Sequence, residues 1–333
     1  MVQAGVEVGA LFAPEHGAFG VLDEDVPDQV EPATGLPIFS LYGAYKRPPA
    51  ERLAGLDALV FELQDIGARF YTYSSTLGHC LEAAYEAGIP VYILDRPNPV
   101  TGNHREGPLA DPDLLSFVAY HSIPIRHGLT LGELGRLCCA EKGWGDTAQV
   151  VPCEGWQREM WFDETGIPWV NPSPAMRSLT AATLYPGVCL LEQTNISVGR
   201  GTDAPFERVG APFIDSQACL AAMQAINITG VALREDRFTP ALSKHEGERC
   251  HGLRIAITDR EALDSVRLGI ALAATLRDLY GEMFEIKGVQ HLLVNVKAFN
   301  LLQSGADVDQ IVDSWRADLD AWREKWRPYL LYA

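Results

Sequence analysis

The feature that most narrows the fold is an alternation over residues 6–156. Short apolar runs that stop abruptly at polar residues are separated by stretches of helical spacing. Residues 6–14 (VEVGALFAP), 56–65 (LDALVFELQD), 90–99 (PVYILDRPNP) and 148–156 (AQVVPCEGW) read as strands. Residues 74–89 and 129–144 place apolar side chains at helical intervals, and in the second Thr130 and Glu133 have the spacing of a capping box. Strands alternating with helices specify an α/β fold with a mostly parallel sheet. In such sheets ligands collect beyond the carboxyl ends of the strands, and three successive ends here are polar: Glu15 and His16, then Asp65, then Asp95, Arg96 and Asn98.

Residues 171–213 break the pattern. They are rich in Pro, Gly, Ser, Thr and Asn with little periodicity, and read as a long irregular, functional loop. Alternation then resumes, with helices over 213–226 and 265–281 and strands over 231–240 and 252–259. Residues 308–326 read as one amphipathic helix whose Trp315, Trp322 and Trp326 suit core or domain docking. A length of 333 residues with 47% hydrophobic content supports about two domains.

The formal net charge of −17 disfavours nucleic acid and anionic membrane surfaces as partners. No apolar run is long enough to span a bilayer, and the N-terminus lacks a basic leader, so the chain as written is expected in the cytoplasm. An incomplete N-terminus would instead allow a periplasmic or secreted protein. The seven cysteines include no C-x-x-C pair and read as small buried apolar residues.

No dinucleotide, P-loop, zincin or nucleophile-elbow motif is present, so no standard site of those kinds is readable. What remains is a set of carboxylates beside His, Arg, Tyr and Asn. That set suits glycoside hydrolysis, in which one carboxyl protonates the leaving oxygen and a second carboxylate faces the other side of the ring. It equally suits binding of a polyhydroxy or acidic ligand without catalysis. Glu15 and His16 sit in a Gly-flanked turn, PEHGAFG, and Glu15 is either a general acid or a loop tie. Asp65, Arg69, Tyr71 and Tyr73 lie close together; Arg69 either clamps a ligand carboxylate or neutralises Asp65. Prolines flank Asp95, Arg96 and Asn98, which read as ligand contacts or as a structural Asp–Arg pair. Glu106 and His127 are further candidates, and Glu133 suits helix capping.

Taken in order, PEHG, QDIGARFYTY, LDRPNP, EGP, RHGLTLGE, PSP, YPG, TN followed by GRGT, PF-E followed by GAP, and the terminal YLLY resemble the NamZ-type exo-β-N-acetylmuramidases over nearly the whole chain. The resemblance implies a Rossmann-like domain over residues 1–188 that holds no nucleotide, a smaller α+β domain over 189–333, and an active site in the cleft between them. It implies an exo-acting hydrolase that releases N-acetylmuramic acid from peptidoglycan fragments without a cofactor. Glu15 is then the general acid/base, assisted by His16, and Asp65, Glu106 and Glu192 compete for the second role. Arg69, Arg96 or Arg200 would hold the lactyl carboxylate, and Tyr71, Tyr73, Asp95, Asn98, His127 and Asn195 would complete the substrate contacts. Alternatives are a non-catalytic muropeptide-binding protein and a glycosidase of different sugar specificity.

The sequence departs from the family pattern at Ala175, where an amide is usual, at Arg177 in place of Pro, at Gln193 in place of Gly, and at Val198 in place of an acidic residue. These departures imply a cleft loop that has lost an amide and a carboxylate. Family members also carry a strand–helix unit before PEHG, for which few residues remain here. A sheet edge left open by its absence motivates the hypothesis of a homodimer.

Overall fold

In the computed structural model, which describes residues 2–23 and 26–333, the strands form but are shorter than their apolar runs. Strand β1 (Leu11–Ala13) pairs in parallel with β3 (Pro37–Ser40), which β2 (Gln29–Val30) joins antiparallel. After a short helix α1 (Ala50–Leu53), strands β4 (Leu59–Phe61), β5 (Val91–Leu94) and β6 (Ala148–Val151) make a parallel sheet in that order. Parallel neighbours require crossovers, here containing α2 (Tyr73–Ala87) and α3 (Leu131–Lys142). Thr130 and Glu133 cap α3 reciprocally, as their spacing predicts. One face of this sheet is buried and the other is open, with Val60 and Tyr92 exposed.

The irregular reading of 171–213 needs correction. Leu179–Val188 form a helix, α4, which runs on into a 3-10 turn at Cys189–Leu191, and Arg208–Ala211 form strand β7. The helix escapes sequence periodicity because Ala181–Val188 are all buried, so no polar face exists to set a period. Pro186 sits inside it. Strand β7 then joins β8 (Val231–Phe238) and β9 (Cys250–Ile257) in an antiparallel sheet with β9 central. Helices α5 (Ser216–Ile226) and α6 (Ser265–Tyr280) follow the expected spans closely. The short α7 (Gln290–Leu293) and α8 (Val296–Gln303) come next.

The single helix expected over 308–326 is broken at Ser314–Trp315 into α9 (Val308–Asp313) and α10 (Arg316–Trp326). The break sends its tryptophans to different places. Trp315 enters the core shared with α4 and α6, whereas Trp322 and Trp326 stack at 5.5 Å against the core under the β4–β5–β6 sheet. The C-terminal tail therefore returns to the first half of the chain, where the Tyr332 hydroxyl donates to Asp95 (2.6 Å). The molecule is a mixed α/β protein with a parallel sheet and a second, antiparallel sheet.

Helices α4 and α6 cross backbone to backbone. A Cβ on Gly187 would lie 1.6 Å from the Ser265 carbonyl oxygen, and one on Gly269 would lie 2.2 Å from that of Gly187. Neither neighbour is a flexible side chain that can swing away, so the helices would have to separate. Gly269→Ala is expected to lower the free energy of unfolding by ~3 kcal/mol or more. Urea denaturation checks this, and an unchanged midpoint would show that the crossing relaxes freely.

Candidate active site

The turn after β1 is built to present side chains. His16 (φ 73°) and Gly17 (φ 77°) are both left-handed, and the non-glycine His16 is the unusual one. The turn closes through Gly17 N–H to the Pro14 carbonyl (3.0 Å) and Leu22 N–H to the His16 carbonyl (3.2 Å). Gly20 lets it approach the Asn171 and Pro172 carbonyls, where a Cβ would come within 3.4 and 3.3 Å. Glu15 and His16 thereby face a cleft of about 310 Å³, whose other walls include Tyr71, Ser173, Glu192 and Arg200.

The Thr72 hydroxyl, just ahead of α2, donates to Glu15 Oε2 at 2.6 Å. Tyr71 lines the cleft with its ring edge-on to Tyr73 at 5.0 Å. Burial holds its phenol well above the ordinary value, so it stays protonated. Tyr73 acts behind the wall: its hydroxyl donates to the Pro172 carbonyl at 2.6 Å and steadies the 172–176 loop.

Glu192 follows the turn after α4. Its Oε1 accepts from Arg200 Nη1 (2.7 Å) and its Oε2 from the Cys189 thiol (3.0 Å). Arg200 Nη2 reaches Asp23 Oδ2 at 3.0 Å, and Asp23 Oδ1 lies 3.5 Å from His16 Nδ1, which also donates to the Leu22 carbonyl (2.7 Å). Charges of alternating sign thus run from His16 through Asp23 and Arg200 to Glu192. Burial pulls the His16 pKa down, but the Asp23 hydrogen bond, the Leu22 carbonyl and neighbouring Glu15 outweigh it, and the net shift is upward. Asp23 is lowered, chiefly by His16.

Of the residues singled out from the sequence, Glu15, His16, Tyr71, Glu192 and Arg200 line this cleft. Several others, candidate ligand contacts and the candidate catalytic Glu106 alike, are not among its lining residues and bond elsewhere in the fold. Arg69 is fully buried and donates to the Pro108, Ile123, Leu292 and Leu293 carbonyls at 2.8–2.9 Å. Glu106 pairs with buried Arg126 and accepts from Ser265 N–H (2.8 Å), Ser265 hydroxyl (2.7 Å) and Val266 N–H (3.2 Å) at the start of α6. Asp95 accepts from Thr130, Gly132 and Tyr332, and Asn98 bridges the Leu129 carbonyl and Val100 N–H. Arg96 lies outside, paired with Glu62 (3.0 Å). Asn195 ties the Met283 carbonyl to Glu285 N–H.

His127 and Asp65 form a buried pair away from the cleft wall. Leu129 N–H donates to His127 Nδ1, which leaves the proton on Nε2, 3.4 Å from Asp65 Oδ2. The polar ends of β4 and β5 are thus engaged largely with neighbouring loops and the C-terminal tail, while Asp65 Oδ1 and His127 Nε2 keep no hydrogen-bond partner among the described residues. The space beyond β4 and β5, bordered by Asp65, Arg96 and Asn98, is about 10 Å³, room for a water at most.

Asp23, Thr72, Ser173, Cys189 and Gln193 also line the cleft, although sequence reasoning assigns them no role in the site. Cys189 carries one signal, its i,i+3 spacing to Glu192. Among the departures from the family pattern, Ala175 and Gln193 do border the cleft, but Val198 is 3% exposed in the hydrophobic core, so the cleft wall itself loses no carboxylate there. Among the described residues, no three His, Cys, Asp or Glu side chains are placed to hold a metal ion, and no helix is long and apolar enough to cross a membrane.

Two family models match the chain: "Exo-beta-N-acetylmuramidase NamZ, N-terminal" over residues 1–180 and its C-terminal counterpart over 183–332. The peptidoglycan beta-N-acetylmuramidase NamZ of Bacillus subtilis (strain 168) is 41% identical over 332 residues, 98% of this chain and 80% of that protein. Two crystal structures of DUF1343 family proteins from Bacteroides fragilis, each 29% identical, superpose with TM-scores of 0.89 and 0.78. They cover 97% and 99% of this chain, and 86% and 88% of their own.

The raised His16 pKa has a consequence for stability. A group raised on folding stabilises fully below its unfolded pKa, near 6.5, and loses that contribution as pH rises through the folded value. The melting temperature of the wild type should exceed that of His16→Gln most just below about pH 6.5, with the gap narrowing as pH rises above it. Thermal denaturation across this range checks it; a gap that widens with pH would reverse the assignment.

Proposed function

The chain belongs to the exo-β-N-acetylmuramidase NamZ family, and from that premise we propose that it removes N-acetylmuramic acid from the non-reducing end of peptidoglycan fragments, with Glu15 as proton donor and Glu192 as second carboxylate. The observation that carries this reading is the cleft itself. Glu15, from the region of the N-terminal family model, and Glu192, from that of the C-terminal one, border the same small space.

Glycoside hydrolysis needs a proton for the departing oxygen and negative charge opposite the oxocarbenium-like sugar. Thr72 occupies one oxygen of Glu15, which leaves the other to present a proton to the glycosidic oxygen. Glu192 is oriented from both sides by Arg200 and Cys189, which suits an anionic partner that need not move. Cleavage of the anomeric C–O bond takes the proton from Glu15, and water supplies the hydroxyl to the sugar and the proton that restores the acid. A cleft near the lower end of ligand-pocket volumes suits one sugar rather than a run of them, as exo-action requires.

Hydrolysis of para-nitrophenyl β-N-acetylmuramide tests the reading. Glu15→Gln, nearly isosteric, is expected to fold normally and lose roughly a hundredfold to ten-thousandfold in kcat. A variant with the wild-type rate would remove Glu15 as the donor.

A further inference from the structure

The substrate of the proposed reaction is an acid, yet the arginines suited to receive it are engaged elsewhere. Arg69 holds four backbone carbonyls, and Arg96 pairs with Glu62. Arg200 keeps its Nε free, but Asp23 and Glu192 flank its guanidinium and balance its charge. The cleft walls carry Glu15, Asp23 and Glu192 against Arg200 and His16, so they offer no surplus positive charge. Arg177, next to the lining residue Met176, donates its Nε to the Pro174 carbonyl (2.8 Å) and its Nη1 to the Thr202 carbonyl (3.5 Å).

Lys46 differs from all of these. Its ammonium lies 3.9 Å from the ring centre of Tyr42 and 4.5 Å from that of Phe117. These two rings, 6.0 Å apart and tilted by 43°, both line the cleft. Among the described residues no carboxylate forms an ion pair with Lys46; the nearby Glu82 and Glu86 are taken by Arg47. Aromatic faces hold an ammonium in place without cancelling its charge, as a carboxylate would. In a chain of net charge −17, a half-buried cation without an acidic partner among the described residues, held on two rings that line an acidic cleft, is not background.

We propose that Lys46, carried on the Tyr42–Phe117 pair, is the cation that receives the carboxylate of the muramyl substrate; this rests on the muramidase reading above. That carboxylate has two sources, the lactyl ether on the sugar and the stem peptide attached to it. A lysine acts as a mobile point charge and makes no demand for bidentate geometry, so it suits either.

The full-length wild type and Lys46→Gln are compared by calorimetry with N-acetylmuramic acid, N-acetylglucosamine and N-acetylmuramyl-L-alanyl-D-isoglutamine. In the last of these the lactyl carboxyl is an amide and the free acid belongs to the peptide. The expected result is about a tenfold loss of affinity for N-acetylmuramic acid, none for N-acetylglucosamine, and partial recovery in Lys46→Arg. That result assigns the lactyl carboxylate, whereas a loss confined to the dipeptide assigns the peptide carboxylate. Both support Lys46 as the anion site, since a merely structural lysine would weaken all three sugars alike. Equal binding of both acids by wild type and Lys46→Gln, in a preparation that hydrolyses the aryl muramide, overturns the proposal alone. A wild type that neither binds the acids nor hydrolyses the muramide overturns it together with the functional reading.

Discussion

Two buried charged side chains hold the halves of this molecule together, and the cleft exists because they do. Arg69 projects from the loop before α2 and satisfies carbonyls at Pro108 and Ile123 on one side and at Leu292 and Leu293 on the other. Burial pushes its pKa down to about 9, which leaves it charged at neutral pH and its hydrogen bonds charge-assisted. Glu106 does the reverse, pairing with Arg126 in its own half while accepting from the first N–H groups of α6 in the other. A carboxylate at a helix N-terminus also meets the positive end of the helix dipole. Removing either group would strand several buried partners, which costs far more than the loss of an exposed ion pair.

This closure sets the chemistry because the cleft walls come from separated stretches of chain. The β1 turn brings Glu15 and His16, the loop before α2 brings Tyr71 and Thr72, and the segment after α4 brings Glu192 and Arg200. Small contacts then fix their relative positions: Tyr73 on the Pro172 carbonyl, Gly20 against the same peptide, and Arg200 between Asp23 and Glu192. The same packing brings the backbone of Gly288 against the peptide of Gln193, where a Cβ would lie 2.1 Å from the carbonyl oxygen. The loop that carries Glu192 is therefore clamped from within its own half of the chain, by the segment around Gly288.

The alternation of apolar runs and helical spacing makes the parallel sheet, its crossover helices and the α3 cap legible in the amino-acid sequence. Glu15 and His16 stand out too, as a carboxylate and an imidazole in a Gly-flanked turn after a strand; the sequence leaves Glu15 as acid or loop tie, and the fold sets both residues on the cleft. Glu106 as a candidate catalytic carboxylate, and Arg69, Asp95, Asn98 and His127 as candidate ligand contacts, are ambiguous for the opposite reason. A charged or polar residue in a short motif looks the same whether it faces a ligand or the core. Their true partners are mostly backbone groups, and in the case of Arg69 those at 292 and 293 lie far along the chain and leave no side-chain signature. Helix α4 is hidden by complete burial, and Asp23 and Lys46 by having no motif around them; their roles depend on which rings and charges the fold sets beside them.

The proposed chemistry depends on where the sugar binds. Crystals of the wild type soaked in N-acetylmuramic acid test it directly. The expected result is a single sugar in the cleft, its ring between Glu15 and Glu192 and within contact of Tyr71. A sugar bound instead beyond the ends of β4 and β5, near Arg96, with the cleft empty, would contradict it.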